Sequence, residues 1–360
     1  MVTTPLDSGI DDYLRKRLMP VEGAIPQIPG IEMYGNSIPA GSVGGDLFEY
    51  INFQQRYDID GRIARARKFA DTYLQPLAEG AEPRNEVDIH VKWLESRPGY
   101  DPTDAVEYRK AKSSEQFRIA EELQELYTTA GVLLVDAEGH GVIAAKIAST
   151  VHDTFHTAML SELDHSGTST TDMFERINIR LAQSATARNA LSGNTGYNPR
   201  ELATMIYGEI HPNGLFRFVN FGHPPPLIFS ANYSRFMDIG TCCFAQFPPL
   251  GLEIPHDHPD RSRYAFIRLR KNYMTESDVS EIVLMGRGDI LFLYTDGVYD
   301  GSDDQDRKDL ERIMEEHKHE SPKAICDRVL DYAVEKDDHL RQMGESERID
   351  DKTVFIIKST

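Results

Sequence analysis

Residues 131–141 read GVLLVDAEGHG, and this stretch decides the fold. Its apolar, β-branched run predicts a strand with Asp136 at the end, a glycine turn, and then a helix from about Val142 to Leu160. In that helix Ile143, Ile147, Val151 and Phe155 recur at four-residue spacing and are expected to face a sheet. An aspartate at the end of a strand-like run or in a glycine turn recurs in three further places. These are Asp46 in VGGDLFEY, Asp296 in DILFLYTDGVYD and Asp350 in RIDDKTVFIIK. Their spread over the whole length points to one site assembled by one fold.

Carboxylates gathered in one place repel one another and drift toward neutrality unless a cation compensates them. Oxygen ligands favour Mg²⁺ or Mn²⁺; zinc would call for His or Cys. An aspartate beside glycine is also a common turn residue, which is the reading for Asp289, Asp300 and Asp351, with an outer supporting role left open for Asp351.

Working outward, residues 1–30 form a polar, Pro-rich lead-in with a short helix around Tyr13–Leu18, and Ile31–Tyr34 begins the first strand. Residues 54 to about 125 are charged and poor in β-branched residues. Two helical patterns are legible there, one through Ile63, Ala66, Ala70, Tyr73 and Leu77, the other through Phe117, Ala120, Leu123 and Tyr127. Met173–Leu181 predicts a further helix and residues 192–200, SGNTGYNPR, a loop. ATMIYGEI and LFRFVNF flank Pro212-Asn213-Gly214, a hairpin signal. DILFLYTD and KTVFIIK supply later strands, with SPKAICDRVLDYAVEK as a helix between them.

The chain has 360 residues, 40% of them hydrophobic, enough for a sizeable core. Its 39 Lys and Arg against 58 Asp and Glu leave a formal charge of -19, which disfavours indiscriminate binding to nucleic acid or anionic membranes. Three cysteines, Cys242, Cys243 and Cys326, make neither a disulfide framework nor a thiolate site. Without a signal-like start or an apolar run of membrane-spanning length, the expected location is cytoplasmic, with no transmembrane segment.

The segment LRKRLMPVEGAIPQIPGIEMYGNSIPAGSVGGD, followed in order by DAEGHG, ELATMIYGEI, FVNFGHPPPLIF, FPPLGLE, GRGDILFLYTDGV and DDKT, resembles the SpoIIE-type, RsbU-like serine phosphatases of bacteria. These are a branch of the metal-dependent PPM (protein phosphatase 2C-like) superfamily. The resemblance implies an α/β (α+β) sandwich of two mainly antiparallel β-sheets flanked by helices, here residues 31–360, interrupted by a helical insertion at about 54–125. It implies a cytoplasmic signalling hydrolase that uses two divalent cations, Mn²⁺ or Mg²⁺, to remove phosphate from phosphoserine or phosphothreonine on a protein, such as an anti-sigma-factor antagonist.

By the same resemblance Asp136 is the bridging metal ligand and the backbone carbonyl of Ala137 completes part of one shell. Asp296 and Asp350 hold the other metal, and Asp46 ligates directly or through water. Gly44 and Gly45 before Asp46, and Gly139 and Gly141 after Asp136, give room for tight backbone paths. His140 reads as a general acid for the leaving alkoxide or, equally, as a helix-terminal residue that caps or packs. His223 marks a rigid turn before Pro224-Pro225-Pro226, and His256 and His258 read as exposed loop histidines.

The family's first two acidic motifs usually sit on strands with a short connection, whereas here the insertion separates Asp46 from Asp136. It reads either as a neutral surface elaboration or as a lid, docking arm or homodimer surface. Two alternatives to the phosphatase reading stay open: a catalytically degenerate phosphoprotein-binding scaffold, and a phosphoesterase acting on small molecules.

Overall fold

The computed structural model describes residues 25–192, 201–239, 244–252, 279–284, 286–301 and 303–360, with 171 and 183–192 described by backbone alone. The expected helix at Tyr13–Leu18, residues 193–200 of the loop expected at 192–200, Cys242, Cys243, His256 and His258 lie outside the described residues, and Ser192 ends a helix.

In chain order the strands are β1 (Ile31–Ile38), β2 (Asp46–Asn52), β3 (Ala130–Ala137), β4 (Ala203–Ile210), β5 (Leu215–Phe221), β6 (Leu227–Ser230), β7 (Arg235–Phe236), β8 (Ser280–Val283), β9 (Ile290–Tyr294) and β10 (Lys352–Ser359). The helices are α1 (Phe53–Tyr57), α2 (Ile59–Leu74), α3 (Glu86–Glu95), α4 (Pro102–Glu125), α5 (Val142–His165), α6 (Thr171–Ser192), α7 (Asp304–His317) and α8 (Pro322–Met343). The chain divides into two compact units.

One unit comprises the chain up to Asn52, Thr128–Ala158 and the part from Thr171 onward. It holds two five-stranded sheets, ordered β1-β10-β9-β6-β7 and β2-β3-β4-β5-β8, and each pair of neighbouring strands in them is antiparallel. The near-continuous apolar runs of β3 and β10 arise because both faces of each strand are covered. Phe48, Tyr50, Val132, Leu134, Ile206, Phe216 and Phe218 of one sheet meet Met33, Leu291, Leu293, Phe355 and Ile357 of the other in one core. The opposite residues of β9 and β10, Ile290, Phe292, Val354 and Ile356, pack under α7 and α8 through Leu310, Met314, Ile325 and Val329. On the second sheet the outward ring of Tyr207 lies against Phe155 of α5 and Phe174 of α6. The two-sheet sandwich flanked by helices is the architecture expected from the sequence.

Local signals fix the ends of these elements. Ser321 caps α8 ahead of Pro322, and Gly344 closes it in the left-handed conformation at φ 80°. Gly214, at φ 77°, turns the β4–β5 hairpin. In α5, Ile147, Val151 and Phe155 are buried as expected, but Ile143 is 73% exposed, while Ala144 and Ala145 of the same turn are the buried residues.

The other unit comprises Phe53–Tyr127 and Met159–Thr170. It contains α1 to α4 and the C-terminal end of α5, so the interval folds as four helices where sequence periodicity showed two patterns. Ile63, Ala66, Ala70 and Tyr73 are buried along α2, while Leu77 lies past its end. Ala120 and Leu123 are buried on α4, but Phe117 and Tyr127 are exposed. The helix α3 escaped the sequence reading because only Val87 and Val91 give it a short apolar face. Asp88, fully buried, binds Arg84 at 2.8 Å and Arg109 at 2.9 Å. Beside them is a cavity of ≈ 580 Å³ lined by Leu74, Leu77, Val91 and Ala105.

Candidate active site

The register of the second sheet brings the first two motif aspartates together. Asp46 opens β2 directly opposite Asp136 near the end of β3, and Thr204 of β4 is the next residue across. Side chains alternate between the faces of a strand, so Asp46 and Asp136 share the face of Phe48 and Leu134, which is the face turned to the other sheet. Like charges directly opposite on adjacent strands are destabilising by themselves.

The other sheet answers with hydroxyls. Thr295, just after β9, donates to Asp46 Oδ2 at 2.8 Å, and Thr353 of β10 donates to the same oxygen at 2.7 Å. The Thr353 amide in turn donates to Thr295 Oγ1 at 2.8 Å. Asp46 therefore ties the sheets together where its carboxyl is buried. Burial and the neighbouring Asp136 push that carboxyl well above the usual carboxylate range, and the two threonines offset part of the rise.

Asp136 is pushed up to about 7, by burial first and then by Asp296, Asp350 and Asp351. Partial burial and the neighbouring Asp350 likewise raise Asp296, in the turn after β9. Asp296 and Asp350 form the accessible rim of the cluster. The backbone carbonyl of Asp350 accepts from Lys352 Nζ at 2.7 Å, and this buried lysine pairs with Asp337 of α8 at 2.7 Å. Among the described residues no Lys or Arg side chain forms an ion pair with Asp46, Asp136, Asp296 or Asp350.

Asp351 has a different place. It is buried, and its oxygens accept the amides of Ala40 at 2.7 Å and Gly45 at 2.6 Å, which anchors the loop leading into Asp46. Close approach explains the glycines here. A Cβ on Gly44 would sit 2.6 Å from the Asp351 carboxylate, and one on Gly45 would sit 2.8 Å from the carbonyl oxygen of Ala137. A Cβ on Gly297 would collide with the backbone carbonyl oxygen of Asp351. Gly139 and Gly141 instead adopt φ of 88° and 78°, the conformation glycine tolerates.

The four aspartates are linked electrostatically through Asp136, although no three of them bring carboxylate oxygens within 4.8 Å of one another. The donor set is entirely oxygen, and burial first, then neighbouring carboxylates, raise Asp46, Asp136 and Asp296. That is the chemistry of a hard divalent cation site, and these residues fit Mg²⁺ or Mn²⁺.

His140 lies exposed in the turn between β3 and α5. His223 is buried at 2% exposure, its Nδ1 is 2.9 Å from Thr204 Oγ1, and its backbone amide is held by Asn220 Oδ1 at 2.8 Å. Burial pushes its imidazole down to about 3, so it is neutral near pH 7. It extends the row Asp46–Asp136–Thr204 by one buried polar group, which the proline-rich sequence after it had masked as a simple turn.

Sequence reasoning also missed Thr295 and Thr353, which sit inside the TDG and DDKT motifs beside the conspicuous acids. A further cluster, Glu49 with His152 and His156, escaped because α5 was read through its apolar face and not through the H-x-x-x-H spacing of HDTFH. Burial raises the Glu49 carboxyl, but hydrogen bonds to the two histidines bring it down to about 2.

The Stage II sporulation protein E (SpoIIE) family matches residues 128–265 and 272–360. No curated protein matches the chain. Among solved structures, the RsbU and RsbW domains of a Mycobacterium tuberculosis protein share 17% identity over 94% of this chain and 63% of that one, with a TM-score of 0.48. The PP2C phosphatase domain of Bacillus subtilis SpoIIE with a fragment of its regulatory domain shares 13% over 92% and 64%, with a TM-score of 0.47. The SiaA-PP2C domain of Pseudomonas aeruginosa shares 10% over 98% and 96%, with a TM-score of 0.49. The chain therefore spans somewhat under two thirds of the first two of these structures. No described helix is long and apolar enough to cross a membrane.

Proposed function

Since the chain belongs to the SpoIIE family of PPM-type phosphatase domains, we propose that it hydrolyses phosphoserine or phosphothreonine on a protein in a metal-dependent reaction. The observation that carries this reading is the pairing of buried Asp46 with half-buried Asp136, with Asp136 raised to about 7 beside Asp296 and Asp350. In the proposal Asp136 and the Ala137 carbonyl would help to hold one divalent cation, Asp136 with Asp296 and Asp350 a second, and Asp46 would ligate directly or through water. Bound Mn²⁺ or Mg²⁺ supplies charge neutralisation for phosphoryl oxygens and acidifies the attacking water.

The chain's own residues do the rest. Thr295 and Thr353 fix the orientation of Asp46. Asp351 and the paired glycines hold the loop before Asp46 against the Ala137 carbonyl. Lys352, neutralised by Asp337, fixes the backbone at Asp350. His140, accessible at the start of α5, is proposed to protonate the leaving alkoxide.

The proposed substrate is a phosphorylated protein, with an anti-sigma-factor antagonist as the representative class. The helical unit is proposed to regulate, dock or dimerise, leaving phosphoryl transfer to the sandwich. Phosphate release from a phosphoserine peptide, measured beside a panel of nucleotides with Mn²⁺ and with chelator, tests the reading. Mn²⁺-dependent release from the peptide alone is expected. Preference for nucleotides would identify a small-molecule phosphoesterase, and binding of phosphopeptide without turnover would identify a scaffold. For His140→Ala, a larger loss on the peptide than on an aryl phosphate, whose leaving group needs little protonation, is the signature of a general acid.

A further inference from the structure

Among the described residues one group outside the aspartate cluster brings metal-binding atoms together: Glu49 of β2 with His152 and His156 of α5. Glu49 Oε2 lies 3.0 Å from His152 Nε2 and 2.6 Å from His156 Nε2, and the two Nε2 atoms are 3.1 Å apart. The histidines are four residues apart on one helix face, so their rings stand side by side with centroids at 4.4 Å. Their side chains are 15% and 12% exposed, and that of Glu49 is 11% exposed.

Hydrogen bonding alone cannot satisfy this triangle. An ionised carboxylate only accepts, and each neutral imidazole carries one proton. With protons on both Nε2 atoms, each can donate to Glu49, but then two N–H donors face each other across 3.1 Å. With a proton on only one Nε2, the other presents a lone pair to a carboxylate oxygen. No arrangement of these protons turns all three contacts into hydrogen bonds, whereas one cation satisfies all three at once.

The dimensions agree. For metal–ligand bonds of about 2.0–2.1 Å, neighbouring ligand atoms are separated by roughly 3.0 Å in an octahedral shell and roughly 3.3 Å in a tetrahedral one. The observed edges of 2.6, 3.0 and 3.1 Å are close to these values. A point about 2.05 Å from all three atoms lies only about 1.2 Å out of their plane, so little movement is needed to admit an ion. His152 Nδ1, the atom that would carry the proton once Nε2 is occupied, makes no hydrogen bond, with Asp153 at 3.6 Å.

We propose that Glu49, His152 and His156 form a second metal site, selective for a late first-row divalent cation such as Zn²⁺ and distinct from the aspartate cluster. Two imidazoles and one carboxylate suit such ions better than Mg²⁺. Asp46 and Glu49 are three positions apart on β2 and therefore point to opposite faces of the sheet. The ion pins β2 to α5 on the helix-covered face, while the aspartates meet on the face turned to the other sheet. This inference does not depend on the proposed phosphatase activity.

The test uses the full chain carrying Asp136→Asn and Asp296→Asn, so that zinc held by the aspartate cluster does not confuse the count. After chelator treatment, Zn²⁺ is titrated with metal quantification, and Co²⁺ is added as a spectroscopic probe of nitrogen coordination. One equivalent of Zn²⁺ is expected, with a cobalt visible band that Zn²⁺ abolishes. Adding His156→Ala should weaken binding about 100-fold or more and remove the band. Glu49→Gln, nearly isosteric and tolerant of folding, should also weaken it, and melting in chelator checks that each variant is folded. Absence of Zn²⁺ and Co²⁺ uptake, or uptake unchanged in both variants, would overturn the proposal and leave the three side chains as a polar contact between strand and helix.

Discussion

If the aspartate cluster is assembled for a cation, removing one of its charges should make the metal-free protein more stable. Asp136→Asn is the sharpest form of this perturbation. Its carboxyl is displaced from an unfolded value of 3.8 to about 7, by burial and by Asp296, Asp350 and Asp351. At about 1.36 kcal/mol per pH unit the displacement corresponds to roughly 4 kcal/mol, and partial solvent access reduces the expected effect to about 2 kcal/mol. A raised folded pKa makes ionisation unfavourable to folding, so the metal-free protein loses stability as pH rises from about 4 to 7. In chelator at pH 8, Asp136→Asn should melt roughly 4 °C above the parent, with the difference shrinking toward pH 4. Excess Mn²⁺ should reverse the order, because only the parent gains from binding. A variant that melts no higher than the parent in chelator at pH 8 would refute the electrostatic reasoning.

Other perturbations separate the supports of the site from its ligands. Asp337→Ala leaves Lys352 charged and buried, and should cost about 3 kcal/mol in urea unfolding while weakening Mn²⁺ affinity through the displaced Asp350 backbone. Gly45→Val puts a side chain where a Cβ is already 2.8 Å from the Ala137 carbonyl, and should abolish Mn²⁺ binding in calorimetry while circular dichroism still reports a folded chain. In the helical unit, Arg84, opposed by burial and assisted by Arg109, lowers the Asp88 carboxyl to about 2. The stability it contributes is present above about pH 4 and lost as pH falls toward 2, so Asp88→Asn should cost about 2 kcal/mol at pH 7 and flatten the acid limb of the unfolding curve. Replacing residues 54–125 with a short Gly/Ser connection should spare aryl-phosphate hydrolysis and change protein-substrate selectivity or solution mass, both measurable on one preparation.

Much of the sandwich was legible because its signals are local. The runs ending in Asp136 and Asp296 are strands by composition, and Gly214 marks its hairpin by the φ it needs. The pairing of Asp46 with Asp136 could be expected from motif order and not from physics alone, since no local rule fixes the two opposite one another across the intervening helical residues. Thr295 and Thr353 were hidden because a hydroxyl donor has no spacing of its own; only the meeting of two sheets at Asp46 gives them a role. The helix α3 was hidden by its short apolar face, and Met159–Thr170 by the continuity of α5, whose sequence does not reveal that its end belongs to the helical unit. Ile143 fits the helical period yet faces solvent, because Ala144 and Ala145 are the residues of the first turn that are buried.

The central claim is that Asp46, Asp136, Asp296 and Asp350 together hold two hard cations. Mn²⁺ titration of the metal-free chain, followed by electron paramagnetic resonance, measures this directly because the signal reports both the number of ions bound and whether they lie close enough to couple. The account predicts two Mn²⁺ per chain with a coupled signal that Asp136→Asn abolishes. Binding that Asp136→Asn leaves unchanged, or no binding at all to a folded chain, would contradict it.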